Sequence, residues 1–385
     1  MNKIKKIIHI GVDAHNLEGN RTGVGRYLEN VLREISKEPD VHKKVRFTLY
    51  FKGEIPKDNF LQDPLFQLIS LKTPAKTSFM LYFLFLLPFN GWRDRLDVLW
   101  FPSYMVPHTW RGKSVVVLHD IIFERYPEVI PTRYRIPYRL FGKNGAKRSE
   151  KIITVSEYSK KEISELYKVK SEKIVVTSLG VDKMFRVVSD EDKISNVKEK
   201  YAIKKDFLLY IGQIFNRRHV DSAMKAYGRI AHEFPDLQFI VVGRNRTNPF
   251  IDIDQLAKDI NDLTGREGIV RHEFVPDEDL PTLYSAAKAG FYLSDYEGFG
   301  LPPLEFLACG TPPLAPNTTS LETTLQREQV VIENTEDVNE IADALRDVLT
   351  DEELLAKTKH RGPEYASQFT WEKTADETLE VFLNL

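Results

Sequence analysis

The chain has 385 residues, of which 42% are hydrophobic and 29% are charged, a composition typical of a soluble globular protein. This length exceeds one ordinary core and predicts two domains, and no apolar run reaches the ~18 residues that a membrane-spanning helix needs. The single cysteine, Cys309, excludes an internal disulfide and favours a reducing, cytoplasmic location.

The net charge of −2 hides an asymmetry along the chain. Residues 1–195 carry 34 Lys and Arg against 23 Asp and Glu, whereas the remainder carries 20 against 33. A basic half suggests an anionic partner such as nucleic acid, a sugar nucleotide or a membrane surface, and ordinary surface variation is the alternative. Aromatic residues are not interleaved with basic ones strongly enough to argue for nucleic acid.

Short apolar runs that predict buried strands alternate with helical segments. After "KIIHIGV", apolar residues from Val24 to Ile35 fall on one helix face. The later strand runs are "VRFTLYF", "DVLWF", "SVVVLHD", "KIITVS", "FLLYIG", "LQFIVVG", "VRHEFV", "AGFYLS" and "TPPLAP". This alternation predicts an α/β protein with two doubly wound, parallel-sheet, Rossmann-like domains facing a cleft. We expect the domains at residues 1–190 and 191–368, with a junction in the polar segment before residue 200.

Two loops follow predicted strands at the sheet edge where ligands bind in such folds. In "TGVGRY", Gly23 and Gly25 would let backbone N–H groups approach an anion at a helix N-terminus, or would form a plain tight turn. In "EGFGLPPLEFLACG", Glu297 and Glu305 bracket a rigid turn before a helix whose pattern begins at Leu304, with the prolines and Glu305 in its first turn. Backbone N–H groups of Gly300 and Leu301 would cradle a diphosphate or a hydroxyl group, and the carboxylates would accept hydrogen bonds from sugar hydroxyls. The alternatives are a solvent-exposed loop carboxylate for Glu297 and a favourable place near the helix dipole for Glu305.

These segments, taken in order, resemble glycosyltransferase family 4, a large family of retaining enzymes with the GT-B fold and an E-x7-E signature. The resemblance covers nearly the whole chain: "IGVDAHNLEGNRTGVGRYLENVLREI", "VVVLHDIIFERYPE", "ITVSEYSKKEI", "YIGQIFNRRHVDSAMKAY" and "DEDLPTLYSAAKAGFYLSDYEGFGLPPLEFLACGTPPLAPNTTSLET". The closing "FTWEKTADETLEVFL", residues 369–385, is similar to a last helix that often crosses back to the first domain.

The resemblance implies a metal-independent transferase without a cofactor, whose donor is a nucleoside-diphosphate sugar. It implies catalytic roles for His119, Arg217, Arg218 and Glu297, and donor-binding roles for Gly23, Gly25, Gly212, Gly298, Phe299, Gly300, Leu301 and Glu305. The family usually has G-x-x-x-x-R-K-N where this chain has "GQIFNRRH", so Arg218 replaces a lysine, and Gln213 stands where some members have arginine. Both departures put the rate in question. "DID" at Asp252–Asp254 matches a metal-binding D-x-D pattern but fits the start of a helix better.

The "RKN"-like segment "RRH" and "TGVGRY" are similar to those of the mannosyltransferase-like members of the family, so GDP-mannose is the expected donor. The expected acceptor is a glycan or a lipid-linked acceptor in polysaccharide, O-antigen or glycolipid synthesis. The apolar run "SFMLYFLFLLPF" at residues 78–89 is either a buried helix or a surface that dips into lipid. With the basic first half it suits a peripheral enzyme on the inner face of the membrane. Two alternatives remain open: a non-hydrolysing sugar-nucleotide epimerase of the same fold, and a non-catalytic sugar-nucleotide-binding scaffold.

Overall fold

The computed structural model describes residues 7–21, 23–73, 79–127 and 132–385. The chain divides into a first unit, Met1–Gly180 with Thr370–Leu385, and a second unit, Val181–Phe369. Ser78, which opens the apolar run singled out above, and the six residues before Ile7 lie outside the described residues.

The first unit is built on seven parallel strands of mostly β-branched and aromatic residues. They are β1 (Ile8–Asp13), β2 (Val45–Phe51), β3 (Phe66–Ser70), β4 (Val98–Phe101), β5 (Ser114–Val117), β6 (Lys151–Thr154) and β7 (Ile174–Val176). Their order in the sheet is β3-β2-β1-β4-β5-β6-β7, so the winding direction reverses between β1 and β4. Ligands of doubly wound sheets bind at such a reversal, beyond the carboxyl ends of the strands.

Helices cover both faces of this sheet, whose central strands β4 and β5 are buried on both sides. They are α1 (Gly23–Lys37), α2 (Phe79–Leu81), α3 (Leu87–Arg93), α4 (Ile122–Arg125), α5 (Thr132–Pro137), α6 (Lys143–Arg148) and α7 (Glu157–Tyr167). Two π-helical segments, Tyr82–Leu86 and Tyr138–Gly142, join α2 to α3 and α5 to α6. Tyr27, Leu28, Val31, Leu32 and Ile35 form the buried face of α1 that the apolar spacing predicts.

The chain's last helix, α16 (Trp371–Leu383), packs on α1 in the first unit. Phe382 lies against Trp100 of β4, with ring centroids 5.4 Å apart. The Thr374 hydroxyl donates to the carbonyl oxygen of Ser178 at 2.6 Å. The chain passes close by at Gly180, where any side chain would overlap the backbone of Trp371.

The second unit repeats the architecture with six parallel strands. They are β8 (Asp206–Ile211), β9 (Leu237–Val242), β10 (Ile269–His272), β11 (Ala289–Phe291), β12 (Pro313–Ala315) and β13 (Val330–Val331). The helices are α8 (Glu191–Lys200), α9 (Val220–Ile230), α10 (Ile253–Thr264), α11 (Leu280–Ala286), α12 (Leu301–Ala308), α13 (Thr319–Leu325), α14 (Val338–Thr350) and α15 (Glu352–Ala366). The order β10-β9-β8-β11-β12-β13 places the reversal between β8 and β11. This sheet too is doubly wound and parallel.

The second unit begins at Val181, earlier than the boundary after residue 190 that the polar composition suggests. The Val181 amide donates to the carbonyl oxygen of Phe369 at 3.0 Å, and the Val188 amide donates to the Ser285 hydroxyl at 3.0 Å. Phe185 packs edge-on against Tyr284 of α11 at 5.4 Å. These contacts hold the segment before α8 on the second unit, and composition carries no sign of them.

None of the helices in the described parts of the chain is both long enough and apolar enough to cross a membrane.

Candidate active site

Two neighbouring loops of the second unit bring the charged residues of both sequence motifs together. One follows β8 and contains a short 3₁₀ helix, Asn216–Arg218, and the other runs from the end of β11 to α12. Because β8 and β11 are adjacent at the reversal of the sheet, their carboxyl ends place these loops side by side. The "RRH" and "EGFG" segments, 79 residues apart at Arg218 and Glu297, meet there.

Glu297 is the centre of this cluster. Its Oε1 accepts hydrogen bonds from Arg218 Nε at 3.2 Å, Arg218 Nη2 at 3.1 Å and the Ser294 hydroxyl at 2.8 Å. Arg217 Nη2 lies 3.6 Å from the same oxygen. One carboxylate thus faces two guanidinium groups, so the cluster carries a net positive charge and suits an anionic ligand.

The neighbours of Glu297 keep it ionised. Burial alone would raise the pKa of this carboxyl, but the charges of Arg218 and Arg217 and the Ser294 hydroxyl outweigh burial and lower it below its ordinary value. Glu297 is therefore a carboxylate at neutral pH, able to accept hydrogen bonds but not to donate a proton. A role as a general acid is excluded for it.

Arg218 uses the whole fork of its guanidinium group. Besides Glu297, it donates from Nη1 to the carbonyl oxygen of Gln213 at 3.1 Å and from Nη2 to the Tyr292 hydroxyl at 3.1 Å. Gly212 makes room for it: with φ +140°, a Cβ there would lie 2.8 Å from Arg218 Nη1. A lysine could not make this set of planar contacts.

Arg217 differs from Arg218 in having an unused donor. Its Nη1 is buried and has no hydrogen-bond partner among the described residues. Its guanidinium carbon lies 5.1 Å from the ring centroid of Phe215. A buried guanidinium nitrogen without a partner is costly, and an anion bound at this edge would satisfy it.

The loop after Glu297 reaches α12 earlier than the sequence suggests. Gly300 has φ +98°, and a side chain there would overlap Leu321, so the helix starts at Leu301 and not at Leu304. Glu305 therefore lies in the second turn of α12 and not in its first. Its Oε2 accepts from the Tyr284 hydroxyl at 2.8 Å, so one of its oxygens is already engaged within the protein.

The other residues of this loop surround the same helix N-terminus. Gly298 lies between Glu297 and Phe299, and the Phe299 side chain is buried against Phe369 at 5.8 Å. The carbonyl oxygen of Glu297 accepts from the Ser320 hydroxyl at 2.7 Å, which ties the loop to α13. The predicted donor-binding segment is therefore a braced loop with a left-handed glycine at the start of α12.

His119 belongs to the first unit, where it follows β5 at the carboxyl edge of that sheet. Its ring lies between those of Tyr27, at 4.8 Å, and Tyr104, at 5.8 Å. Burial lowers the pKa of His119 to about 4, and its buried Nε2 has no hydrogen-bond partner among the described residues. At neutral pH it is an uncharged imidazole with one buried ring nitrogen that has no partner among the described residues.

The two glycines of "TGVGRY" lie in the first turn of α1 and not in the loop before it. At Gly25, a side chain would overlap the carbonyl oxygen of Asn16, so the glycine is required for the chain to pass there. At Gly23, by contrast, a Cβ would meet open space. Only Gly25 has a packing reason to be glycine.

Sequence analysis missed several residues that complete the second unit's cluster. Tyr292 and Ser294 contact Arg218 and Glu297, and His219 bonds to Asp295. All four stand next to the motifs in the sequence, but polar residues beside a motif are common and carry no signal by themselves.

In the "DID" segment, Asp252 caps α10 by accepting from the Gln255 amide at 3.0 Å, and Asp254 pairs with Arg271. These carboxylates therefore stabilise the start of a helix, as predicted.

Comparisons with known proteins match most of the chain. Residues 21–184 match the model of Glycosyltransferase Family 4, and residues 191–365 match that of Glycosyl transferases group 1. The chain is 30% identical over 294 residues to O-antigen chain mannosyltransferase B of Escherichia coli, covering 75% of each protein.

Two solved structures are similar in fold. Sucrose-phosphate synthase from Thermosynechococcus elongatus has a TM-score of 0.75 at 17% identity, covering 97% of this chain and 98% of that one. Anabaena HepE, in complex with UDP and glucose, has a TM-score of 0.71 at 16% identity, and the match covers 99% of this chain and 100% of HepE. The chain therefore belongs to glycosyltransferase family 4, and it is a glycosyltransferase with the GT-B fold.

Proposed function

We propose that this glycosyltransferase moves mannose from GDP-mannose to a glycan or lipid-linked acceptor, with retention of configuration and without a metal ion. The observation that carries the proposal is the cluster of Glu297, Arg217 and Arg218 at the carboxyl edge of the second sheet. The O-antigen mannosyltransferase relative supports mannose as the sugar, and an acceptor in O-antigen or related polysaccharide synthesis. UDP in the Anabaena structure makes a UDP-sugar the competing donor.

The arginines stabilise the leaving group in this mechanism. Negative charge grows on the nucleoside diphosphate as its bond to the sugar breaks, and prearranged cations favour that state most when they need not reorganise. Arg218 is held in place by Gln213, Tyr292 and Glu297, and Arg217 has an unused donor in Nη1. Glu297, held ionised, accepts hydrogen bonds from donor-sugar hydroxyls, and Glu305 accepts from the ribose.

The proton of the acceptor hydroxyl needs a different acceptor. Glu297 is paired with two arginines and is a poor base. We assign this proton to a donor phosphate oxygen on the same face of the sugar, which keeps the configuration at the anomeric carbon. His119, being neutral, donates or accepts a hydrogen bond to position the donor sugar.

A ligand screen followed by a turnover assay tests this function. GDP-mannose, UDP-glucose and ADP-glucose are compared by thermal shift, where the true donor at 100 times its Kd should stabilise the protein by about 2.7 kcal/mol. The donor that stabilises is then incubated with and without acceptor glycan. Transfer supports the proposal, epimerised sugar without acceptor supports an epimerase, and binding without any turnover supports a scaffold.

We also propose that the first unit rests on the inner face of the cytoplasmic membrane. In the helical run of α2, its π segment and α3, Tyr82, Phe83 and Leu87 are buried. Phe85, Phe89 and Trp92, exposed at 58%, 59% and 75%, follow at spacings of four and three and share the opposite face. The apolar run is therefore half core and half exposed surface, which is the pattern of a helix lying in a membrane interface.

Positive charge is concentrated in a cavity of the same unit. A cavity of about 580 Å³ beside β6 has six cationic lining residues: Lys147, Arg148, Lys151, Lys168, Lys170 and Lys173. Glu150 and Glu172 also line the cavity, so its lining carries six positive and two negative side chains. Arg148 donates to the carbonyl oxygen of Trp110, whose ring packs on Gly91 next to the exposed Trp92. Arg148 thus connects the cavity to the helical run that carries the exposed aromatic residues, an arrangement that anionic lipid headgroups would favour.

Vesicle binding tests the membrane proposal. The protein should co-sediment with vesicles containing phosphatidylglycerol more strongly than with phosphatidylcholine alone, and less at high salt. Replacing Phe85, Phe89 and Trp92 together by Ser should weaken binding at least tenfold. The matched control replaces Phe250 and Leu263, exposed at 73% and 79% in the second unit, and should change nothing. Equal binding to both vesicle types, or none, contradicts the proposal.

A further inference from the structure

The loop that carries the two arginines ends at a residue in an unusual conformation. His219 has φ 43° and ψ 39°, in the left-handed region, and directly precedes α9. Residues other than glycine adopt this region uncommonly, and histidine does so more often than most. His219 is 9% exposed, so its side chain is buried beside the arginine loop.

The His219 ring is one end of a chain of hydrogen bonds that spans three segments. Its Nε2 lies 2.7 Å from Oδ2 of Asp295, and Oδ1 of Asp295 accepts from the Thr335 hydroxyl at 2.9 Å. The Asp295 amide, in turn, donates to the carbonyl oxygen of Arg217 at 2.9 Å. Asp295 thus forms two hydrogen bonds to the arginine loop, one from its backbone amide to Arg217 and one from its side chain to His219.

This arrangement connects directly to the proposed catalytic residues. In the sequence, Arg218 stands between Arg217 and His219, the two residues bonded to Asp295, and Glu297 follows Asp295 by two positions on the other loop. A shift of either loop would therefore change the distance between the arginines and Glu297. Catalytic side chains placed on loops need such second contacts to keep their geometry, because small displacements cost large factors in rate.

Charge strengthens the contact over part of the pH range. Burial disfavours the protonated ring, but the hydrogen bond and charge of Asp295, with Glu336 and Asp221 nearby, outweigh it and raise the pKa of His219. These carboxylates come from the Asp295 loop, the segment before α14 and α9. The ion pair is complete below the ordinary pKa of about 6.5 and is lost as the pH rises through the raised value.

We propose that His219 and Asp295 are positioning residues for sugar transfer, which lock the loop of Arg217 and Arg218 against the loop of Glu297. The inference rests on the proposed leaving-group role of the two arginines. It goes beyond that role by making the reaction depend on a pair that lies outside the proposed catalytic and donor-binding residues. The rate should therefore follow the protonation of His219, with kcat falling on the alkaline side.

The test compares wild type with His219→Gln, whose amide nitrogen reaches Asp295 but carries no charge. Near pH 6 we expect kcat of the variant to be about 3- to 10-fold below that of wild type. Between pH 6 and pH 9 kcat of the variant should stay nearly constant, whereas kcat of wild type should decline. The donor KM should change less than twofold, because the arginines are present but less well placed. Asp295→Asn should show the same loss, and the double variant should be no worse than either single one.

Two controls separate a positioning role from a merely structural one. His232→Gln, at an exposed histidine of the same unit, should keep the wild-type pH profile. Thermal unfolding reports whether each variant folds. An unchanged pH profile in His219→Gln, or a lower Tm with unchanged kcat, overturns the inference. If wild type itself transfers no sugar, the proposed function fails instead, and the two failures are distinguishable.

Discussion

The carboxyl edges of the two sheets carry opposite kinds of chemistry. In the second unit, Glu297 and two arginines form a buried charged cluster in which ionisation is enforced. In the first unit, His119 sits between two tyrosine rings and is held neutral, with its pKa lowered to about 4. The same doubly wound architecture thus supports a charged edge and an uncharged one. Side chains at the ends of the strands decide the chemistry, and the sheet decides only where they lie.

The largest effect should come from removing the carboxylate of the charged edge. Glu297→Ala should lower kcat by about 10²–10³, since it loses the sugar contact and frees the arginines to move. It should also lower the free energy of unfolding, because two buried guanidinium groups lose their counter-ion. Both are measured, by sugar-transfer kinetics and by denaturant unfolding.

The control for this variant is Glu233→Ala, which removes an exposed carboxylate of the same unit paired with Arg346. It should leave kcat within twofold of wild type. Activity of Glu297→Ala within about threefold of wild type would show that the charged cluster only supports the fold.

A somewhat smaller and more selective loss is expected at Arg218. Arg218→Ala should cut kcat by about 10² while changing the Kd of the free nucleoside diphosphate less, because the cation acts mainly on charge that develops in the transition state. The kcat of Arg218→Lys should lie between those of wild type and Arg218→Ala, since an ammonium keeps the charge but cannot contact Gln213, Tyr292 and Glu297 at once.

Calorimetric titration with GDP and UDP measures the binding side of this prediction. Arg229→Ala, at an exposed arginine of α9, is the matched control and should alter neither quantity. If Arg218→Ala weakens nucleotide binding and leaves kcat untouched, the arginines only hold the ligand, and the mechanism proposed for the charged edge is wrong.

The smallest effect is expected at the uncharged edge, where it concerns the free energy of unfolding and not kcat. Because the folded pKa of His119 lies near 4 and the ordinary value is 6.5, the unfolded chain binds the extra proton between these values. Stability is therefore full above pH 6.5 and is lost as the pH falls, by about 2 kcal/mol at pH 5 from this group. Denaturant unfolding at pH 7.5 and pH 5 should show that loss in wild type.

His119→Gln should lack this part of the acid sensitivity, whereas His232→Gln, at an exposed position, should retain it. An equal loss in wild type and His119→Gln would mean that His119 is protonated in the folded protein. The claim that one sheet edge is neutral and the other charged would then be wrong.

Much of the fold could be predicted from the sequence, because its signals are local. Runs such as "VRFTLYF" and "FLLYIG" predict buried strands, and both are strands in the structure. The apolar face of α1 likewise follows from its spacing. The spacing of Glu297 and Glu305 indicated the family, and the family models and relatives confirm it. The residue roles stay predictions.

Only the tertiary structure decided which of these residues work together. The approach of Arg218 to Glu297 follows from the pairing of β8 with β11, which no local pattern specifies. Leu321, which occupies the space beside Gly300, leaves room only for glycine at the residue before α12. The partnership of His219 with Asp295 is likewise non-local. A sequence determines its own periodicities and turns, whereas contacts between distant segments depend on how the sheet assembles them.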